Sequence, residues 1–219
     1  MKSALLIFPG SNGDLELQRA LEEVGFTVIR VWHKDTELPS DTEIVFIPGG
    51  FSFGDYLRPG AIAAKSKILN AVIEFANGGG YIVGICNGFQ ILLEAKLLPG
   101  ALLRNIGQRF ICENVDLIVE VDNSIYTDNF SIGQNVTFPI AHYDGNYFCD
   151  DETLKTLIDN GRVPFTYKTN PNGSAANIAA VLSHNKRVMG LMPHPERPIY
   201  PSSDREDALK FFQSIIKNI

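Results

Sequence analysis

Cysteine is scarce in this chain, with Cys86, Cys112 and Cys149 the only three among 219 residues. An odd, widely spaced set argues against a disulfide framework and fits a reducing cytoplasm. Histidine is almost as sparse. His33, His142, His184 and His194 stand at no ligand spacing from the cysteines, so no metal site is expected. Basic runs are missing too: 19 Lys and Arg face 25 Asp and Glu, and the net charge of -6 argues against a nucleic-acid partner. No apolar run is long enough to span a membrane. Residues 1–10 carry a short apolar stretch without a small-residue cleavage site, and they are read as a buried strand rather than a signal peptide. The Asn-x-Ser/Thr matches at Asn129, Asn135 and Asn172 are then chance. Internal repeats, low-complexity tracts, linkers and a Gly-x-x-x-x-Gly-Lys-Ser/Thr phosphate loop are all absent.

What is present suits one globular domain over residues 1–219: 45% of residues are hydrophobic and 20% charged, which allows a sizeable core. Apolar runs at 4–8, 27–32, 44–47 and 81–85 read as strands. Helical spacing covers 15–24, capped by Asn12 or Asp14 and stopped at Gly25, and again 61–76, stopped by Gly78-Gly79-Gly80. This alternation predicts an α/β fold with a parallel sheet and helices on both faces. The second half changes character. Strands are expected at 110–121, 136–140, 163–168, 178–183 and 187–191, with helices at 151–160 and 205–216. The simplest reading is an antiparallel excursion attached to the parallel sheet.

One stretch stands apart, Gly84-Ile85-Cys86-Asn87-Gly88-Phe89-Gln90, set between a strand and a helix. Small residues two before and two after the thiol let strand and helix approach closely, as in a nucleophile elbow. Most lone cysteines are buried structural residues, but a merely buried thiol needs no such turn. At a helix N-terminus the dipole and unpaired N–H groups favour thiolate, and the Asn87 N–H can face an oxyanion formed beside the sulfur. Cys112 and Cys149 lack this setting and are read as structural. A base is expected from Met192-Pro193-His194-Pro195-Glu196-Arg197-Pro198. Its prolines impose extended or turn-like backbone, where residues i and i+2 share a side, so Glu196 can hold one ring nitrogen of His194. His33 and His184 lie in polar turn contexts and are expected to be exposed. The glycine turn Pro48-Gly49-Gly50-Phe51 ends another strand, and in an open parallel sheet it belongs beside the elbow.

These motifs together resemble the class I (triad-type) glutamine amidotransferases. Residues 8–12, 49–58, 170–174 and 192–197 narrow the resemblance to members that act as separate glutaminase subunits in purine biosynthesis. The resemblance implies a flavodoxin-like fold with a parallel/mixed sheet, flanking helices and a C-terminal antiparallel excursion. It implies hydrolysis of glutamine to glutamate and ammonia, with Cys86 as nucleophile, His194 as base and Glu196 as its partner. Gly50, Phe51 and Asn87 fall at the oxyanion hole, and Gln90 at a position that contacts glutamine. It implies no cofactor in this chain. ATP and Mg2+ belong to a large synthetase subunit, joined by a small bridging subunit. Asp55, Tyr56 and Arg58 are either part of the surface toward the synthetase or a solvated loop, and His142 is either accessory to the site or structural. The chain departs from the family pattern at Gly13 and Pro59, where cysteine is expected, and at Tyr143, Asp144 and Asn146, which replace glycine, glutamate and arginine. Two rival readings are a cysteine hydrolase of similar fold and a non-catalytic module that keeps the elbow as scaffold. Neither predicts the intact set of Cys86, His194 and Glu196.

Overall fold

In the computed structural model, which describes residues 1–197 and 203–219, the short apolar runs become strands and the amphipathic stretches helices. In chain order these are β1 (Lys2–Ile7), α1 (Asp14–Glu23), β2 (Thr27–Trp32), β3 (Ile44–Ile47), α2 (Lys67–Asn77), β4 (Tyr81–Ile85), α3 (Asn87–Glu94) and β5 (Ala101–Leu103). They continue with β6 (Ile111–Val119), β7 (Asn135–His142), β8 (Asn146–Phe148), α4 (Asp151–Asp159), β9 (Phe165–Tyr167), β10 (Ala180–Leu182), β11 (Val188–Leu191) and α5 (Ser203–Asn218).

The main sheet runs β10-β11-β4-β3-β1-β2. All its pairings are parallel except β10 with β11. Strands β3 and β11 are buried at every residue, as expected for a parallel sheet covered on both faces. The antiparallel excursion leaves the sheet after α3. It forms a three-stranded sheet, β7-β6-β9, and a two-stranded one, β5-β8, before β10 and β11 return the chain to the edge of the main sheet beside β4. Helix α5 then packs Phe211 against Phe138 of β7, with ring centroids 6.3 Å apart, tying the smaller sheet to the end of the chain.

Several expectations need correction. The helix expected over 61–76 begins only at Lys67. Before it lies a 3-10 turn at Ala63–Lys65 and an extended Ser66 (φ -68°, ψ 155°) whose hydroxyl bonds back to the Ala63 carbonyl at 2.7 Å. Such a local side-chain bond competes with helix and stops it from extending upstream. Neither Asn12 nor Asp14 caps α1. Gly13 is the N-cap with no side-chain bond, and the Asn12 and Gly13 N–H groups both go to the Gly49 carbonyl, at 3.2 and 3.1 Å. This fastens the start of α1 to the end of β3. Strands β5 and β8 were not expected, because three residues each are too few to show a period. His33 is half-buried, its ring edge-on to Phe53 at 5.2 Å, whereas His184 is exposed. Cys112 is exposed on β6, so it is not a core residue. Pro198 of the proline segment lies outside the described residues.

Candidate active site

Strand order decides what meets at the site. In the sequence β11-β4-β3 of the sheet, the three neighbouring strands release residues 192–196, Cys86 and Gly49-Gly50 at one carboxyl edge. That edge is where open α/β sheets place ligands. The Cys86 N–H donates to the Leu191 carbonyl at 2.8 Å, so the β4–β11 ladder itself carries the thiol to within a few residues of His194.

Cys86 sits at φ 51°, ψ -104°, a region that a residue with a side chain occupies only at a cost of order 1–3 kcal/mol. The glycines around it permit the turn. A Cβ on Gly88 would lie 2.1 Å from the Ile47 carbonyl oxygen, and one on Gly84 would lie 2.6 Å from the Gly88 carbonyl. Strand β4, helix α3 and strand β3 are therefore in backbone contact. Cys86 is buried, and its Sγ lies 3.8 Å from the Ala141 carbonyl at the end of β7.

His194 and Glu196 meet as the i, i+2 spacing predicts: Nδ1 and Oε1 are 2.6 Å apart, and both side chains are sealed from solvent. The His194 N–H donates to the Pro139 carbonyl at 2.8 Å, which anchors the segment on β7. Burial alone would lower the pKa of this imidazole. The charge of Glu196 and the neighbouring Cys86 outweigh it and push the group up to about 9. Nε2 is the ring nitrogen left over. It completes no hydrogen bond among the described residues, although Cys86 lies close enough to favour its protonation. Glu196 Oε2 is likewise buried without a partner among the described residues. Gly13 lies beside this carboxylate, since a Cβ there would stand 3.4 Å from Glu196 Oε1.

The expected oxyanion groups divide. Asn87 is the first residue of α3, and the first intrahelical bond belongs to Gln90 N–H, donated to the Cys86 carbonyl at 3.1 Å. The Asn87 N–H thus has no preceding-turn carbonyl to use. Gly50 is in left-handed backbone at φ 151°, and its N–H has no backbone acceptor among the described residues. Phe51 differs from expectation. Its N–H donates to the Gly10 carbonyl at 2.9 Å and is not turned toward the thiol, because residues 10–12 and 49–51 pair locally as antiparallel backbone.

Gln90 is buried and held at both ends. Its Oε1 accepts from Asn87 Nδ2 at 2.8 Å, and its Nε2 donates to the Asp144 carbonyl at 2.9 Å. Asn87 Nδ2 also reaches Asp55 Oδ1 at 3.5 Å. Burial, with the Asp144 charge nearby, pushes the Asp55 carboxyl up to about 6. Tyr56 and Leu57 project outward, 75% and 89% exposed, and Arg58 makes a two-pronged pair with Glu94 at 2.6 Å per bond. The loop after β7 is held by contacts of its own. Asp144 pairs with Arg104 at 3.2 Å, and the Arg104 guanidinium lies 4.1 Å over the Tyr143 ring. His142 is buried, and burial assisted by the charge of His194 lowers it to about 4. Asn105 and Tyr167 were not foreseen. Asn105 is fully buried and binds the His142 ring and backbone, and Tyr167 lies near enough to Cys86 for the thiol to bias its ionisation. No motif surrounds either residue. Among the described residues no cluster of His, Cys, Asp or Glu could hold a metal, and no helix is long and apolar enough to cross a membrane.

Comparison with known proteins agrees over nearly the whole chain. Residues 1–209 match the model of the CobB/CobQ-like glutamine amidotransferase domain. The phosphoribosylformylglycinamidine synthase subunit PurQ of Ruegeria sp. (strain TM1040) is 54% identical over 215 residues, covering 98% of this chain and 97% of the relative. The subunit of the same name from Cereibacter sphaeroides is 55% identical over 216 residues, covering 99% and 97%. A chain of the solved structure of PurLQS from Thermotoga maritima superposes with a TM-score of 0.90 at 44% identity, covering 99% of this chain and 97% of that one.

Proposed function

Because the chain belongs to the CobB/CobQ-like glutamine amidotransferase domain family, we propose that Cys86, His194 and Glu196 form the triad that makes it a glutaminase. The chain is the glutaminase subunit that supplies ammonia to a separate synthetase subunit, which converts formylglycinamide ribonucleotide to its amidine in purine biosynthesis. One observation carries the triad reading: a thiol on a strained strand–helix turn stands beside a sealed His194–Glu196 pair with a 2.6 Å contact.

Cys86 thiolate attacks the side-chain amide carbon of glutamine. The oxyanion formed at that carbon accepts from the N–H groups of Asn87 and Gly50, at the positive end of α3. Phe51 joins them only if its bond to Gly10 opens. Collapse of the tetrahedral intermediate breaks the C–N bond, and protonated His194 Nε2 gives its proton to the departing nitrogen, which leaves as ammonia. Glu196 keeps Nδ1 protonated and steadies the imidazolium, the orienting role of the third member of a triad. Water then adds to the thioester with His194 as base, and glutamate leaves. Gln90 contacts the bound glutamine. ATP and Mg2+ act in the synthetase subunit, a small bridging subunit completes the complex, and the assembly works in the cytoplasm. The exposed loop of Tyr56, Leu57 and Arg58 faces the synthetase.

The test is glutamate release by wild type and Cys86→Ala, each alone and with the synthetase and bridging subunits, formylglycinamide ribonucleotide and ATP. Release that depends on the partners and vanishes in Cys86→Ala is expected. Release by Cys86→Ala at the wild-type rate would refute the assignment of the nucleophile.

A further inference from the structure

His142 is buried and has a nitrogen to spare, and the hydrogen bonds around it fix which one. Asn105 Nδ2 donates to two carbonyls, those of Arg109 at 2.9 Å and His142 at 3.0 Å, while its Oδ1 accepts the Gly145 N–H at 3.0 Å. These three bonds leave no freedom in the orientation of the amide. The group 3.1 Å from His142 Nδ1 is therefore an oxygen, an acceptor, and Nδ1 must carry the hydrogen. In a neutral ring Nε2 then presents a bare lone pair. That atom is buried with no partner among the described residues. The ring cannot turn away to find one, since Gly145 packs on it so closely that a Cβ would lie 2.3–2.6 Å from three ring atoms.

The place matters as much as the tautomer. Strand β7 runs past the triad, accepting from the His194 N–H at Pro139 and standing 3.8 Å from Cys86 Sγ at Ala141, and His142 is the next residue. An unmatched buried acceptor costs stability unless something small with an N–H or O–H occupies it. We propose that His142 Nε2 receives an N–H of the nascent ammonia, a positioning contact that starts ammonia on its way to the synthetase subunit. The inference rests on the glutaminase reading above. It suits the chemistry, because the product must leave as unprotonated ammonia to act as a nucleophile. A histidine held neutral far below physiological pH, with burial as the first cause and His194 as the second, accepts a hydrogen bond and has no proton to return.

Two substitutions separate this role from a structural one. His142→Asn keeps a donor where Nδ1 meets Asn105 and removes the acceptor at Nε2. His142→Gln restores an oxygen near the Nε2 position. In the assembled complex with formylglycinamide ribonucleotide and ATP, glutamate formed and amidine formed are measured together. For His142→Asn we expect glutamate release within about threefold of wild type and amidine per glutamate lowered by at least about threefold, with partial recovery in His142→Gln. An unchanged ratio in His142→Asn, or equal losses of both products in both variants, would overturn the proposal. Failure of the glutaminase reading would look different, since wild type itself would then release no glutamate.

Discussion

Gly49 offers the sharpest test of how the site is held. A methyl group there would lie 2.7 Å from His194 Cε1, 3.4 Å from His194 Nδ1 and 3.6 Å from Cys86 Cβ. Gly49 is not among the residues with left-handed backbone, so alanine meets no torsional obstacle. The only conflict is with the imidazole, which has to retreat by roughly 0.7 Å to reach ordinary contact. It has nowhere easy to go, because Nδ1 is tied to Glu196 at 2.6 Å and its backbone to Pro139 at 2.8 Å. Either the bond to Glu196 lengthens or Nε2 swings off the thiol. A misplacement near 1 Å in a reacting group costs on the order of 10²-fold in rate, and the overpacking costs about 1–3 kcal/mol in stability. Gly49→Ala should therefore fold, lose roughly 10²-fold in kcat for glutamate release and change little in KM. Gly88→Ala is the contrast. Its Cβ would stand 2.1 Å from a backbone carbonyl of β3, which cannot move without breaking the sheet, so the loss there is of folding, roughly 3 kcal/mol or more. Steady-state kinetics beside urea unfolding separates the two. A Gly49→Ala enzyme with kcat within about threefold of wild type would refute the claim that this glycine makes room for the base.

The electrostatics of the site predict three further outcomes and its surface a fourth. His194 is raised from 6.5 to about 9, so its protonated form stabilises the fold fully below about pH 6.5, and this contribution is lost as pH climbs toward 9. Urea midpoints of wild type should fall across that window more steeply than those of His194→Gln, and parallel slopes would contradict the assignment. Asp55 is raised from 3.8 to about 6, so its ionised form burdens the fold above that pH. Asp55→Asn should raise the unfolding midpoint at pH 7.5 and leave it nearly unchanged at pH 4; a loss of stability at pH 7.5 would count against the burial argument. Arg58 is largely exposed despite its pair with Glu94, so Arg58→Ala should cost less than about 1 kcal/mol, and a larger loss in urea titration would show a structural role instead. Leu57→Asp, at an 89% exposed position, should leave stability within about 0.5 kcal/mol and weaken binding to the synthetase subunit in a titration of complex formation. Unaltered affinity would remove this loop from the interface.

Much of this was legible in the sequence because it is local. Strands β2, β3 and β4 fall at their expected residues, since short apolar runs bounded by turns carry their own signal. The elbow was legible because only glycine fits at positions 84 and 88 once strand and helix touch. The i, i+2 spacing was enough to bring His194 against Glu196. What was not legible depends on partners far away in sequence. The fastening of Asn12 and Gly13, just before α1, to the Gly49 carbonyl is one case, and the pairing of β5 with β8 is another. The Phe51 N–H is a third, because a sequence motif names a residue but not the acceptor its amide has found. Asn105 shows the same limit from the other side: a buried asparagine that orders a loop 40 residues on resembles any surface asparagine until the fold closes over it.

The buried groups left without partners point to one conclusion. Ser52 Oγ, His142 Nε2, His194 Nε2 and Glu196 Oε2 are all buried and unmatched among the described residues, and away from them only Ser3 Oγ on β1 shares that state. Ser52 lies at the site as well, through its N–H bond to Asn87 Oδ1 at 3.1 Å. A folded chain ordinarily matches its buried polar atoms, because each orphan costs about 1–3 kcal/mol. Four such atoms gather around one strained cysteine, at the carboxyl edge where open α/β sheets place ligands. Under the proposed triad, these are the atoms placed to meet an amide, ammonia and a hydrolytic water.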